Sequence, residues 1–366
     1  MANADLSFAR RAKNDEFYTQ WHDIEVEMMA YLDYDPDVFR GKTVLLPCDD
    51  PEWSNFTKFF AQNFDRFGLK KLISTSYAPA SKRLADYRPS LFEQNSLQYD
   101  ELKSQARGKI FVLDSDITGD GRINIDDLQW QYLEGDGDFR SDEVTHLRDE
   151  ADIIVTNPPF SLFREFFKWL VVSYKQFIII GNMNAITYKE SFPFIKDNRV
   201  WLGVSNGQKQ YICPNGSIKK MGNTCWFTNI DHGRRHQPLS LMTIADNLRF
   251  SKHKEIRGQV KYQQYENYVA IEVPFADAIP SDYDGIMGVP ISFLDKYCPE
   301  QFEIIWRSHD IEWAENECDF YTPPSTNKVA IYKKKDKTWR VQIPYVVDNE
   351  GNAVVAYQRL FIRHKR

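Results

Sequence analysis

The sequence offers no cysteine framework. Its five cysteines are scattered, with no Cys-x-x-Cys and no histidine at ligand spacing, which argues against disulfides and structural zinc and for the reduced thiols of a cytoplasmic protein. No apolar run approaches the roughly twenty residues of a membrane span. Met1 to Arg11 hold no apolar stretch, so neither a membrane partner nor a secretory signal is expected. Internal repeats and low-complexity tracts are missing too, which sets aside solenoids. The turn after the first strand candidate, Pro47-Cys48-Asp49-Asp50-Pro51, lacks the Gly-x-Gly of a dinucleotide fold. A 366-residue chain with 42% hydrophobic residues then fits one large domain plus a second domain or elaborate insertions.

Neither sign of charge dominates, but the signs are segregated. Residues 1–185 carry 21 Lys+Arg against 31 Asp+Glu, and 186–366 carry 25 against 21, with 13 cations and five anions concentrated in 186–261. A basic segment beside an acidic one suggests a phosphate-facing module attached to a domain that is not. A solvated basic face is the plainer account.

Periodicity predicts a helix over Phe17 to Leu32, a buried strand at Thr43 to Leu46, a helix over Ser54 to Phe67 and a strand at Lys70 to Ser76. A polar excursion with one short helix follows to Gly108, then strand-like Ile110 to Leu113 and Leu128 to Leu133. Helix, strand, helix and strand are next expected at Ser141 to Asp149, Asp152 to Thr156, Leu162 to Tyr174 and Phe177 to Ile180. Such alternation predicts an α/β domain with a parallel, doubly wound sheet over 1–200. Short aromatic strands punctuated by Asn206-Gly207, Asn215-Gly216 and Asp284-Gly285 predict an irregular β-rich region over 201–366, woven back onto that sheet.

Asn157-Pro158-Pro159-Phe160, directly behind Ile153-Ile154-Val155, is the most informative feature. It puts a side-chain carbonyl, a proline carbonyl and an aromatic face at a strand's carboxyl edge, where open α/β sheets bind ligands. An amino group conjugated to a planar ring is a poor nucleophile because its lone pair is delocalised. Two acceptors, the Asn157 side-chain oxygen and the Pro158 carbonyl, can hold both amino hydrogens and pull the nitrogen toward a tetrahedral geometry while Phe160 stacks on the ring. Proline fixes φ and removes competing donors. As a bare turn signal the same residues need no such role.

Other segments supply a setting. Carboxylates in the turn Pro47-Cys48-Asp49-Asp50 suit an ammonium or a ribose hydroxyl better than a pyrophosphate, which points to S-adenosylmethionine; helix capping is the rival account. In Gly135-Asp136-Gly137-Asp138-Phe139, Asp138 can accept an adenine amino hydrogen while Phe139 packs on the ring, or the stretch is a glycine turn with a core phenylalanine. Phe17, Tyr18 and Thr19 can fold over a cofactor carboxylate, or simply begin a helix. Asp116 to Asp127 partly fits a calcium loop but lacks flanking helices, so a polar hairpin tip is expected and no metal. Lys219, Lys220, Arg234, Arg235, His236, Lys252 and Lys254, among aromatics such as Trp226 and Phe227, are candidate DNA contacts.

Taken in order, Asp15 to Thr19, Leu46 to Asp50, Asp149 to Arg164, Phe177 to Asn182, Trp226 to Gly233 and Met287 to Tyr297 resemble the EcoRI-type adenine-specific DNA methyltransferases over most of the chain. The resemblance implies a Rossmann-like class I S-adenosylmethionine-dependent sheet, with 201–366 as DNA-recognition region. It implies methyl transfer to adenine N6 of double-stranded DNA on a flipped-out base. Asn157 and Pro158 would hold the amino group, Phe160 would stack on it and Pro159 would shape the loop. Asp138, Phe139, Phe17, Tyr18, Thr19 and Pro47 to Asp50 would surround the cofactor. Ile73 to Tyr77 offer no acidic ribose ligand, a departure that leaves that contact unassigned. A cognate restriction endonuclease is a partner the family allows, and a monomer suffices. Methylation of guanine N2 or adenine N6 in RNA, of a protein amide, or a silent DNA-binding module are the competing readings.

Overall fold

A computed structural model describes residues 18–51, 54–78, 94, 96–212, 218–308, 319–322, 343–348, 351, 353–356 and 358–365. Phe17, one of the expected cofactor residues, lies outside them. The chain divides into two compact units, 1–191 with 200–233, and 192–199 with 234–366.

The first unit holds a ten-stranded mixed sheet. Its strands are β1 (Tyr18–Thr19), β2 (Thr43–Leu46), β3 (Lys71–Ser76), β4 (Lys109–Leu113), β5 (Gln129–Tyr132), β6 (Ile153–Thr156), β7 (Gln176–Asn182), β8 (Trp201–Leu202), β9 (Gly207–Ile212) and β10 (Ile218–Thr228). The spatial order is β1-β9-β10-β7-β6-β2-β3-β4-β5, with β8 on β10. Only β7, β6, β2 and β3 run parallel. β2, β6 and β7 carry the continuous apolar runs, and β2 and β6 are buried at every position, as a strand covered on both faces requires. The expected parallel sheet is therefore its centre alone. β4 and β5 form an antiparallel hairpin on one flank and β10 pairs antiparallel with β7 on the other.

Helices α1 (Trp21–Tyr34), α2 (Asn55–Gln62), α3 (Phe64–Phe67), α4 (Glu101–Ala106), α5 (Asp142–Glu150) and α6 (Phe163–Val171) accompany this sheet. α6 buries Phe163, Phe166, Phe167 and Leu170, the i, i+3, i+4, i+7 stripe of an amphipathic helix. Ser54 caps α2 and Ser141 caps α5 through their hydroxyls. From β2 the chain moves one way to β3 and later returns to place β6 on β2's other side. The carboxyl ends of β2 and β6 thus flank the topological switch point, where such sheets open a crevice.

Residues 201–233, expected with the recognition region, instead belong to the first unit. Trp226 and Phe227 of β10 pair with Ile180 and Ile179 of β7, which makes this segment part of the sheet. The second unit contains α7 (Phe192–Lys196), α8 (Ile244–Phe250) and the strands β11 (Ile271–Glu272), β12 (Met287–Pro290), β13 (Phe302–Arg307), β14 (Tyr345–Val347), β15 (Ala353–Val355) and β16 (Arg359–His364). Its sheet has the order β11-β12-β16-β13, with β14-β15 as a separate ribbon. Tyr265, Tyr268, Trp306, Phe320 and Phe361 form its aromatic core. Among the described residues no helix is long and apolar enough to cross a membrane.

One buried carboxylate fastens α1 to the β8–β9 connection. Glu27 accepts from the Val204 and Ser205 amides, the Ser205 hydroxyl and the Tyr31 hydroxyl. A Cβ at Gly203 would fall on Glu27 Oε1, so that close approach requires glycine. Burial pushes the Glu27 carboxyl above its ordinary 4.5, against the pull of the Ser205 and Val204 amides. In the window above 4.5 the folded state then binds more protons than the unfolded chain, and stability falls as pH rises through it. Glu27→Gln should flatten that slope in urea unfolding series taken from pH 4.5 upward; an unchanged slope would assign it to other groups.

Candidate active site

The turn behind β2 is organised by Asp49. Its amide donates to the Thr75 carbonyl at 2.8 Å, and its carbonyl accepts from the hydroxyls of Thr57 and Ser74. One carboxylate oxygen accepts from Ser54 Oγ at 2.7 Å and the other from Thr156 Oγ1 at 2.6 Å. Thr156 Oγ1 also lies 2.6 Å from the Pro47 carbonyl. One hydroxyl proton faces two oxygens there, so the bond is three-centred unless Asp49 brings a second proton. Between Pro47 and Asp49, Cys48 adopts φ +70°, a left-handed conformation uncommon outside glycine. The sequence marks no glycine here, yet the backbone makes the turn that glycine usually permits.

The same hydroxyl fixes the start of the Asn157-Pro158-Pro159-Phe160 loop, since Thr156 ends β6. Pro158 is buried, and its carbonyl accepts no hydrogen bond among the described residues. The Pro159 carbonyl takes the Leu162 amide and starts the short 3-10 turn Phe160–Leu162 that leads into α6. The half-buried Phe160 ring meets Tyr211 of β9 edge-on at 6.1 Å. Tyr211 is the register partner of Thr19, so β1 and the tetrapeptide converge on one residue. Asn55 Nδ2 donates to the Thr19 carbonyl at 2.8 Å, tying β1 to the start of α2.

The Gly135 to Phe139 segment reaches the same edge. Because β4 and β5 reverse direction, Lys109 lies opposite both Ser76 and Tyr132, and the Ala78 amide donates to the Asp136 carbonyl at 2.7 Å. Gly137 has φ +81°, and a Cβ there would strike the Ser76 carbonyl at 2.2 Å, so no other residue fits.

Several expected cofactor residues have other occupations. The Asp49 carboxylate is 4% exposed and engaged by two hydroxyls, which makes it a brace within the turn. Phe139 is 2% exposed and packs edge-on against Phe166 and Trp169, a core ring with no free face. Asp138 accepts from the Arg140 guanidinium at 2.9 and 2.5 Å. Tyr18, Cys48 and Asp50 are partly exposed at the edge. Thr19 Oγ1 is buried without a hydrogen-bond partner among the described residues, an orphan suited to an anionic or polar ligand group.

A model of the family described as "Adenine-specific methyltransferase EcoRI" matches residues 5–365. The chain belongs to this family of adenine-specific methyltransferases. It is 40% identical over 320 residues to the Type II methyltransferase M.EcoRI of Escherichia coli, covering 83% of this chain and 89% of that protein. It is 33% identical to M.MpnI of Mycoplasma pneumoniae and 32% identical to M.MgeORF184P of Mycoplasma genitalium, both named Type II methyltransferases. Each of those matches covers 81% of this chain, and 83% and 84% of the respective relatives. No solved structure matches the chain.

In this family member the Asp116 to Asp127 stretch is the tip of the β4–β5 hairpin, and its carboxylates serve the loop itself. Asp116 accepts from the Gly119 and Gly121 amides, and Asp127 from those of Ile117, Thr118 and Asn124. The Thr118 amide leads in holding the Asp127 carboxyl down at about 2. No metal-binding cluster of His, Cys, Asp or Glu occurs among the described residues.

The expected DNA contacts separate into two groups. Arg234 bonds Asp295 at 2.7 Å, Arg235 is 7% exposed and donates to Asn198 at 2.5 Å, and His236 lies 2.8 Å from Glu300. These three brace the second unit internally. Lys252 is exposed but paired with Asp277 at 2.6 Å, while Lys254 and, on β10, Lys219 and Lys220 are exposed. A further exposed cation, Arg164 at the start of α6, lies over the Tyr188 ring at 4.1 Å, just past the tetrapeptide. No local pattern separates it from an ordinary helix-surface arginine. Arg235→Met should lower unfolding stability by only about 1 kcal/mol, the net worth of one hydrogen bond, because Asn198 is exposed and water can replace the lost donor. Urea midpoints measure this; an unchanged midpoint with weakened DNA binding would return Arg235 to the contact set.

Proposed function

We propose that the chain transfers a methyl group from S-adenosylmethionine to adenine N6 in double-stranded DNA, on a base turned out of the helix. One observation carries this reading beyond family membership: Thr156 fastens the tetrapeptide to the β2 turn at the switch point, with the Pro158 carbonyl open beside Asn157. The parallel centre supports a Rossmann-like class I sheet. Thr19, with its orphaned hydroxyl, Tyr18, Pro47, Cys48, Asp50 and Asp138 would hold the cofactor. The cofactor supplies an electrophilic methyl on a sulfonium, whose bonding electrons return to sulfur.

The chain's own work is to make the amine reactive. Asn157 Oδ1 and the Pro158 carbonyl accept the two N6 hydrogens and draw the lone pair out of conjugation, and Phe160 stacks on the adenine. A flipped base costs a few kcal/mol to unstack, which stacking on Phe160 offsets. Exposed Lys219 and Lys220 of β10 would meet DNA phosphates, and 201–366 would serve recognition. The relatives' Type II designation supports a site-specific reaction beside a cognate restriction endonuclease.

Incubation with methyl-labelled cofactor and DNA, RNA or protein tests the reading. Label in adenine N6 of duplex DNA is expected, and label only in RNA or protein refutes it. Asn157→Ala should lower turnover by roughly 10²–10³-fold, the usual cost of a lost transition-state hydrogen-bonding group, with cofactor and DNA binding retained; unchanged turnover removes Asn157 from its role. Lys220→Ala and Lys254→Ala should each reduce the slope of log affinity against log salt by about 0.9 if each meets a phosphate. Parallel salt titrations read this, and an unaltered slope excludes the residue concerned.

A further inference from the structure

We infer that Thr156 and Asp49 act together as positioning residues, setting the distance between the cofactor turn and the pair of amino-group acceptors. The inference rests on the methyl-transfer reading of this edge and adds a control that the tetrapeptide itself does not contain. Thr156 Oγ1 is the joint: it lies 2.6 Å from the Pro47 carbonyl on one loop's backbone and 2.6 Å from the Asp49 carboxylate. Asp49 is in turn held by Ser54, Thr57, Ser74 and Thr75, all at most 2% exposed. The turn therefore cannot drift relative to α2 or β3 without breaking buried hydrogen bonds.

On the other loop little slack separates the joint from the chemistry. Asn157 precedes a proline and Pro158 precedes another, so both are confined to extended backbone, and Pro158 has its φ fixed by the ring. A displacement of Thr156 passes nearly undamped to the Pro158 carbonyl. Neither Thr156 nor the Asp49 carboxylate needs to touch substrate: Thr156 is wholly buried and acts through its neighbours.

Thr156→Val keeps the shape and removes the hydroxyl, Thr156→Ser restores it, and Asp49→Asn alters its partner. A displacement near 1 Å costs about 10²-fold in rate, so Thr156→Val should lower kcat by roughly 10- to 100-fold. Cofactor Kd and DNA KM should stay within about threefold, since the surfaces that bind both remain. Thr156→Ser should recover most of the rate, and the double variant Asp49→Asn/Thr156→Val should be no slower than the worse single one, as coupled residues behave. A purely structural role would lower the melting temperature without splitting kcat from KM. If Thr156→Val fails to fold, Asp49→Asn and Thr156→Ser are read by the same split.

Retained kcat in folded Thr156→Val, failure of Ser to rescue, or cofactor affinity falling in step with kcat overturns the inference. Wild-type protein that labels no adenine overturns the functional reading and this inference with it. Active wild type with an unaffected variant overturns the inference alone.

Discussion

A buried aspartate held by hydroxyls is the constraint on which this architecture turns. Asp49, just past β2, joins β3, β6 and α2 through its amide, carbonyl and carboxylate, and its partners are neutral groups: Ser74 and Thr75 of β3, Ser54 and Thr57 of α2 and its cap, and Thr156 of β6. A net hydrogen bond is worth about 1 kcal/mol, whereas a buried group left unmade costs about 1–3. Such a cluster therefore resists partial rearrangement more than it adds to total stability. That resistance lets Cys48 persist at φ +70°, a conformation the surrounding bonds must over-determine. Under the proposed reaction it would also keep the amino-group acceptors in register with the turn before any substrate arrives.

What was legible in the sequence was the part written in local patterns. Apolar runs such as Ile153 to Val155 and Phe177 to Ile180 announced buried parallel strands, and the 3.6-residue stripe announced α6. The tetrapeptide was legible because proline pairs constrain backbone wherever they occur. The Asp49–Thr156 bond was not, since its partners lie 107 residues apart and a serine or threonine signals nothing about what it will meet. The packing of Phe139 was not legible for a related reason: an aromatic after a glycine turn looks the same whether its face is offered or packed against Phe166 and Trp169. The joining of β10 to the first sheet was hard to read because the strand begins with exposed Ile218, Lys219 and Lys220 and only later becomes the buried Cys225 to Thr228 that pairs with β7.

The basic excess of 186–261 divides along similar lines. A cation on a loop is free to seek a carboxylate of its own chain, and Arg234 has found Asp295. Arginine suits such braces because its planar fork makes several bonds for little lost freedom. The charge available to a polyanion is then smaller than the sequence count. It rests on side chains such as Lys220 and Lys254, exposed and away from such pairs. Composition measures how much charge a segment carries, and only packing decides how much of it faces outward.

In the proposed reaction, pre-organisation would let the tetrapeptide do without a base. The nitrogen of adenine is unreactive because its lone pair belongs to the ring, and a base that removed a proton first would work against an amine of very low acidity. Holding both hydrogens on fixed acceptors redirects the lone pair while leaving both protons in place until the new N–C bond forms, after which the cationic nitrogen loses one of them to water. Fixed acceptors help only if they do not relax toward the flat ground state, so their rigidity is the chemistry. Two prolines supply rigidity along the chain, and Thr156 supplies it across the strand end. Neither alone suffices, because a stiff loop on a loose footing still moves as a body.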